Sequence, residues 1–239
     1  MSTLTNLRKE LKTKANPKKA KILQRFFKTG KGEYGEGDVF LGIRTPDKRK
    51  IAEKYRDLRF GDLRQLLKSK IHDEREMALL ILVHQFQDAM TCHSAPVRDK
   101  IFNFYLKNTK YINNWDLVDG SAPKIVGEYL LGLASINGSK KILYKLAESR
   151  NLWERRIAVL ATYAFIKNNQ FDKILKIAEI LLNDKHDLIH KAVGWMLREV
   201  GKKSQAVLEK FLKKHASKMP RVMLRYAIER LTSGRGGDI

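Results

Sequence analysis

Trp115 and Asp119 stand four residues apart in Trp115-Asp116-Leu117-Val118-Asp119, a spacing that puts an indole and a carboxylate on one face of a helix. The chain of 239 residues carries 48 Lys and Arg against 26 Asp and Glu, a formal charge of +22. Such a surface collects polyanions. A carboxylate repels phosphate, so Asp119 is not there for affinity; it is a candidate for chemistry on something the basic surface has already bound. The other two tryptophans each stand three residues before an arginine, Trp153 before Arg156 and Trp195 before Arg198. Taken singly an indole is usually core. Indoles bordered by arginines and one carboxylate better suit a wall for a cationic or sugar-like group. The plain alternative for Asp119 is a surface carboxylate paired with a nearby Lys or Arg.

Other apparent motifs carry less. Gly30-Lys31-Gly32-Glu33-Tyr34-Gly35 matches a dinucleotide fingerprint in letters, but a helical segment (20–28) precedes it where a strand is required, and Glu33, Glu36 and Asp38 would oppose a pyrophosphate. It reads as a flexible connection. His186 and His190 have metal-ligand spacing with no third ligand nearby, and no metal or cofactor is expected. Cys92 is the one cysteine, which excludes an internal disulfide or a cysteine cluster. The runs Lys12 to Lys21 and Lys213-Lys214 read as solvated faces open to phosphate.

These residues need a helical frame. Five prolines, long stretches rich in Leu, Ile, Ala, Lys and Glu, and little alternating apolar pattern point to an all-α chain. Segments 143–149, 154–167 and 171–182 carry apolar residues at steps of three and four. Turns are expected at Asn137-Gly138-Ser139, Asn168-Asn169 and Gly201-Lys202-Lys203. Stacking the segments around Ala78, Val118, Ala158, Ala192 and Ala227 gives a weak repeat with spacings of 40, 40, 34 and 35 residues, in the range of two-helix arrays. The expectation is an α-solenoid whose concave basic surface can follow a duplex, a single domain over 1–232 and a flexible tail over 233–239. An irregular helical bundle is the alternative. Trp115, Trp195, Arg156 and Arg198 are expected to be exposed on one concave side. Without a signal-like N-terminus or a run of about 18 apolar residues, the chain is expected to be soluble, cytoplasmic and off the membrane.

At these residues the chain resembles the AlkD family of DNA alkylation repair glycosylases. The segments that carry the resemblance are NPKKAKILQRFF (16–27), FLGIRTPDKRK (40–50), NNWDLVDGSAPKIVGEYL (113–130), NLWERRIAVL (151–160) and KAVGWMLREV (191–200), so it spans most of the chain. FLGIRTP is a landmark expected to shape a turn. The resemblance implies a solenoid of HEAT-like helical repeats with a concave basic DNA-binding face that grips double-stranded DNA and hydrolyses the N-glycosidic bond of purines alkylated at N3 or N7; the protein is expected to be a monomer. It implies that Trp115 and Trp195 hold the sugar and backbone of the lesion nucleotide, that Asp119 is the catalytic aspartate, and that Arg156 and Arg198 contact DNA. The chain departs from the family in having Phe26 where the family has a tyrosine, and in a longer glycine-rich connection over 30–37. A non-catalytic binder of damaged or branched DNA is the other reading, although members of that kind lack the tryptophan and aspartate set. A scaffold for protein or RNA suits the positive charge less well.

Overall fold

The computed structural model describes residues 3–133 and 138–232, and these form helices and turns, with one isolated bridge between Val39 and Ile71 in place of any strand. The contacts divide the chain into two compact units, Met1–Ser121 and Ala122–Ile239.

In the first unit the helices are α1 (Leu4–Thr13), α2 (Pro17–Phe26), α3 (Thr45–Lys54), α4 (Phe60–Leu67), α5 (His72–Thr91), α6 (Ala95–Lys107) and α7 (Trp115–Ala122), with a 3₁₀ turn at Thr109–Tyr111 before α7. Local chemistry sets several of the starts. The Thr3 hydroxyl accepts from the Asn6 amide, and Asn16 Oδ1 accepts from the Lys19 amide with Pro17 at the first helical position, so otherwise unpaired amides are capped. Twelve of the twenty residues of α5 are buried, and α3, α4 and α6 pack around it. The FLGIRTP segment makes its turn at Gly42, where φ is +76° and a Cβ would lie 2.4 Å from the Asn16 carbonyl oxygen. Only glycine fits there.

The second unit contains α8 (Glu128–Gly132), reached through a π turn at Pro123–Gly127, then α9 (Gly138–Ala147), α10 (Leu152–Lys167), α11 (Asp172–Ile180), α12 (Asp187–Lys203), α13 (Gln205–His215) and α14 (Arg221–Thr232). The α10 helix is central, with eleven buried residues and contacts to α8, α9, α11 and α12. The five residues that mark the repeat, Ala78, Val118, Ala158, Ala192 and Ala227, lie on α5, α7, α10, α12 and α14 and are at most 1% exposed. The spacing thus picked out the positions where helices pack, and the fold is an all-α helical-repeat fold.

The helices expected at 143–149, 154–167 and 171–182 correspond to α9, α10 and α11. The turn at Asn168-Asn169 is present, with Asn169 in the left-handed region at φ +57°. The turn expected at 201–203 is not; α12 runs through Lys203 and ends at Ser204, whose extended backbone also starts α13. Gly201 is there a helical residue against which Leu208 packs. Of the turn at 137–139, Gly138 and Ser139 already belong to α9, while Asn137 and the 233–239 tail lie outside the described residues.

Two glycines of α12 differ in what a methyl group would meet. At Gly194 a Cβ would come within 2.4 Å of the Met223 carbonyl oxygen and 2.6 Å of the Tyr226 Cβ, both on α14. At Gly201 it would meet the far end of the Leu208 side chain. Gly194→Ala is expected to cost about 1–3 kcal/mol because backbone must move. Gly201→Ala should be neutral or stabilising, as the Leu208 rotamer yields and alanine favours the helix by about 1 kcal/mol. Urea unfolding of both variants checks this, and equal stability would contradict the close α12–α14 contact.

Candidate active site and nucleic-acid interface

The site of the first unit is assembled at the start of α7. Asn114 is fully buried, and its Oδ1 accepts from the Trp115 amide at 2.8 Å. Trp115, half-buried, stacks on Phe27 (centroids 5.1 Å apart, planes 18° apart), meets Phe26 edge-on at 5.9 Å, and donates its indole N–H to Tyr34 Oη at 3.2 Å. Phe27 in turn stacks on Phe40 at 5.0 Å, and Phe40 on the His72 ring at 4.4 Å. A continuous ring stack therefore runs from the indole into the core.

At its inner end His72 is 0% exposed and bridges two carboxylates. Its Nε2 lies 2.7 Å from Asp116 Oδ2 and its Nδ1 3.1 Å from Asp38 Oδ2, an oxygen that also accepts from Arg75 Nη2 at 2.6 Å. Burial disfavours the charged ring, but the hydrogen bonds to Asp116 and Asp38 and the charge of Asp116 outweigh it and lift His72 to about 9. Asp38 is lowered in spite of its own burial by His72 and Arg75. At pH 7 the ring is cationic, so both nitrogens donate and the Asp116 charge is offset.

A second buried pair adjoins this one. Lys48 is ion-paired with Glu76 and lies 3.6 Å from Asp73, whose Oδ2 accepts from the Leu41 amide. Burial alone would lower Lys48; the Glu76 and Asp73 charges raise it, while burial raises Glu76. Donor atoms of His72, Glu76 and Asp116 lie within 4.8 Å of one another, close enough to hold a metal ion. Glu76 is already ion-paired with Lys48 and Asp116 hydrogen-bonded to His72, so a metal there would have to break both pairings.

The raised His72 has a direct consequence for stability. In the unfolded chain its proton leaves near 6.5; in the folded protein it stays to about 9. The folded state therefore binds more protons between these values, and stability is full below about 6.5 and falls as pH rises through 9. The expected loss is on the order of 3 kcal/mol across that window. Urea unfolding at intervals from pH 6 to 10 should show the decline, and His72→Gln should flatten it. Parallel curves for the two proteins would remove the charged-histidine assignment.

Asp119 is half-buried on α7, the same helix as Trp115. The Tyr105 hydroxyl, pushed up first by burial and held back by its hydrogen bond with Ser121, is raised further by the Asp119 charge.

In the second unit Trp195 is half-buried on α12, and its N–H donates to Glu199 Oε1 at 3.1 Å. Arg198, on the same helix, is ion-paired with Glu229 of α14. Arg156 departs from the expectation of exposure. It is 5% exposed, and its Nη1 donates to the Leu188 carbonyl at 2.6 Å, because a guanidinium can tie α10 to the start of α12 where an alkyl chain cannot. Trp153 is buried at 8% exposure, so the core option holds for it. His186 and His190 are structural: His186 Nδ1 accepts from the Leu188 amide to cap α12, and His190 Nε2 meets the Asp184 carbonyl at 2.5 Å.

The 30–37 connection, read as flexible, is built as a defined loop. Glu33 accepts from the Gly30 amide and Glu36 from the Gly32 amide, both at 2.8 Å. Two amides that could have met a phosphate are thus taken by carboxylates. Sequence reading missed Tyr34, Asp38, His72 and the commitment of Asp116. The only local signal was an unusual density of acids beside a tyrosine in a basic chain.

Comparison with known proteins agrees with this architecture. Among solved structures the fold is similar to that of a predicted DNA alkylation repair enzyme from Enterococcus faecalis, with a TM-score of 0.69 at 18% identity over 91% of this chain and 97% of that one. No curated protein matches the chain. No helix among the described residues is long and apolar enough to cross a membrane. The family model described as DNA alkylation repair enzyme matches residues 7–231, and with nearly the whole chain covered, the protein belongs to the DNA alkylation repair enzyme family.

Proposed function

We propose that this protein is a DNA glycosylase that hydrolyses the N-glycosidic bond of N3- or N7-alkylated purines, such as 3-methyladenine and 7-methylguanine, in duplex DNA and so opens base excision repair. The observation that carries the reading is α7 itself: a half-buried indole and a half-buried carboxylate one turn apart, beside an Asp116 whose charge His72 already offsets.

Alkylation at N3 or N7 makes the purine cationic, so it departs as a neutral base with the electrons of the glycosidic bond and needs no general acid. Positive charge then builds at the anomeric carbon, and a carboxylate facing it stabilises that charge and orients water. Asp119 serves both purposes. Water attacks the sugar carbon, its proton passes to Asp119 and on to solvent, and an abasic site remains. The faces of Trp115 and Trp195 add cation–π attraction of about 0.5–2 kcal/mol for the charged nucleotide.

In this reading HEAT-like repeats carry a basic DNA-binding face, and the protein works as a cytoplasmic monomer on double-stranded DNA without a cofactor. Arg198 exchanges Glu229 for a phosphate when DNA binds. Arg156 supports Trp195 indirectly, by holding the segment that starts α12.

The test is a single-turnover assay on duplex DNA containing 7-methylguanine, with free base measured by chromatography. Release well above the spontaneous rate is expected. Binding without release would favour a non-catalytic binder of damaged or branched DNA.

A further inference from the structure

We propose that Tyr34, on the 30–37 loop, is a positioning residue that fixes the Trp115 indole for catalysis, an inference that rests on the glycosylase reading above. Stacking on Phe27 and the edge contact with Phe26 hold the plane of the indole, but stacking is only weakly directional. The hydrogen bond from the indole N–H to Tyr34 Oη, at 3.2 Å, sets how the ring is turned within that plane. A ring turned away from the charged nucleotide loses rate, since catalytic groups act only from the right geometry.

The loop is built to hold that hydroxyl still. Besides the two carboxylate-to-amide bonds, the Gly35 amide donates to the Lys28 carbonyl at 3.1 Å, and a Cβ on Gly35 would lie 2.5 Å from the Phe27 carbonyl oxygen. Lys28, Gly32 and Gly37 take positive φ values of 51°, 78° and 81° to turn the chain. At its far end Asp38 is locked by His72 and Arg75, and Val39 donates to the Lys70 carbonyl and accepts from the His72 amide. The same loop thus reaches α7 twice, through Tyr34 to Trp115 and through Asp38 and His72 to Asp116. The tyrosine hydroxyl beside Trp115 comes from this connection, while Phe26 contributes only a ring edge.

The experiment uses the full chain labelled with 5-fluorotryptophan, the Trp115 resonance being assigned by its loss in Trp115→Phe. In Tyr34→Phe the Trp115 fluorine resonance is expected to move while those of Trp153 and Trp195 stay. Single-turnover release of 7-methylguanine at saturating enzyme should fall by about 3–10-fold, as for one lost hydrogen bond, with affinity for undamaged duplex unchanged. An unmoved Trp115 resonance would overturn the proposal, and so would a moved resonance with an unchanged rate. A matching loss of affinity for undamaged duplex would make Tyr34 an ordinary DNA contact and overturn it as well. Absence of release by the wild type is a different result: it removes the glycosylase reading itself, and the role of Tyr34 in it.

Discussion

Asp119→Asn is expected to release 7-methylguanine roughly 10²–10³-fold more slowly than the wild type, the loss typical of deleting one electrostatic stabiliser of a transition state. The substitution preserves shape and removes the charge that opposes the developing cation at the sugar. Binding of duplex DNA should persist and tighten slightly, because a carboxylate near phosphates repels them. Rate and affinity thus move in opposite directions, which a structural role for Asp119 cannot produce. Single-turnover release and fluorescence anisotropy on the same duplex measure the two quantities. A folded Asp119→Asn protein that excises at the wild-type rate would sink the proposed mechanism, and parallel loss of rate and binding would indicate a collapsed site.

Duplex binding is expected to weaken steeply with salt, damaged or not. With 22 more basic than acidic side chains, an interface touching roughly 6–10 phosphates would lose about 10³–10⁵ in affinity between 50 and 200 mM salt. The cations of the Lys12 to Lys21 run are suited to this, since Lys12, Lys14, Lys18 and Lys21 are exposed. Phosphate contacts carry no sequence information, so lesion-containing and intact duplexes should give the same slope of log K against log salt. A slope near zero on intact duplex would remove the electrostatic account of DNA binding.

The helices were readable because apolar side chains recur at the period of the backbone that buries them, a local property. Trp115 and Asp119 could be placed on one helix for the same reason, and the small residues spaced at 34–40 positions coincide with buried contacts on five helices. The turn misplaced at 201–203 marks the limit of such reasoning, since glycine in a helix is tolerated when a neighbour such as Leu208 packs on it.

Partner choice among the charged groups was of another kind. Asp38, His72 and Asp116 lie 34 and 44 residues apart along the chain, Tyr34 and Trp115 81 apart, and Arg156 meets a carbonyl 32 residues away. Residue types and spacing determine that this chain is helical, basic and equipped with an indole and a carboxylate on one helix. Which acid is neutralised by a buried imidazolium and which arginine is withdrawn into the core were decided only by tertiary packing. A buried charge costs several kcal/mol unless an oppositely charged or polar group reaches it, and that group comes from whichever distant segment the fold brings alongside.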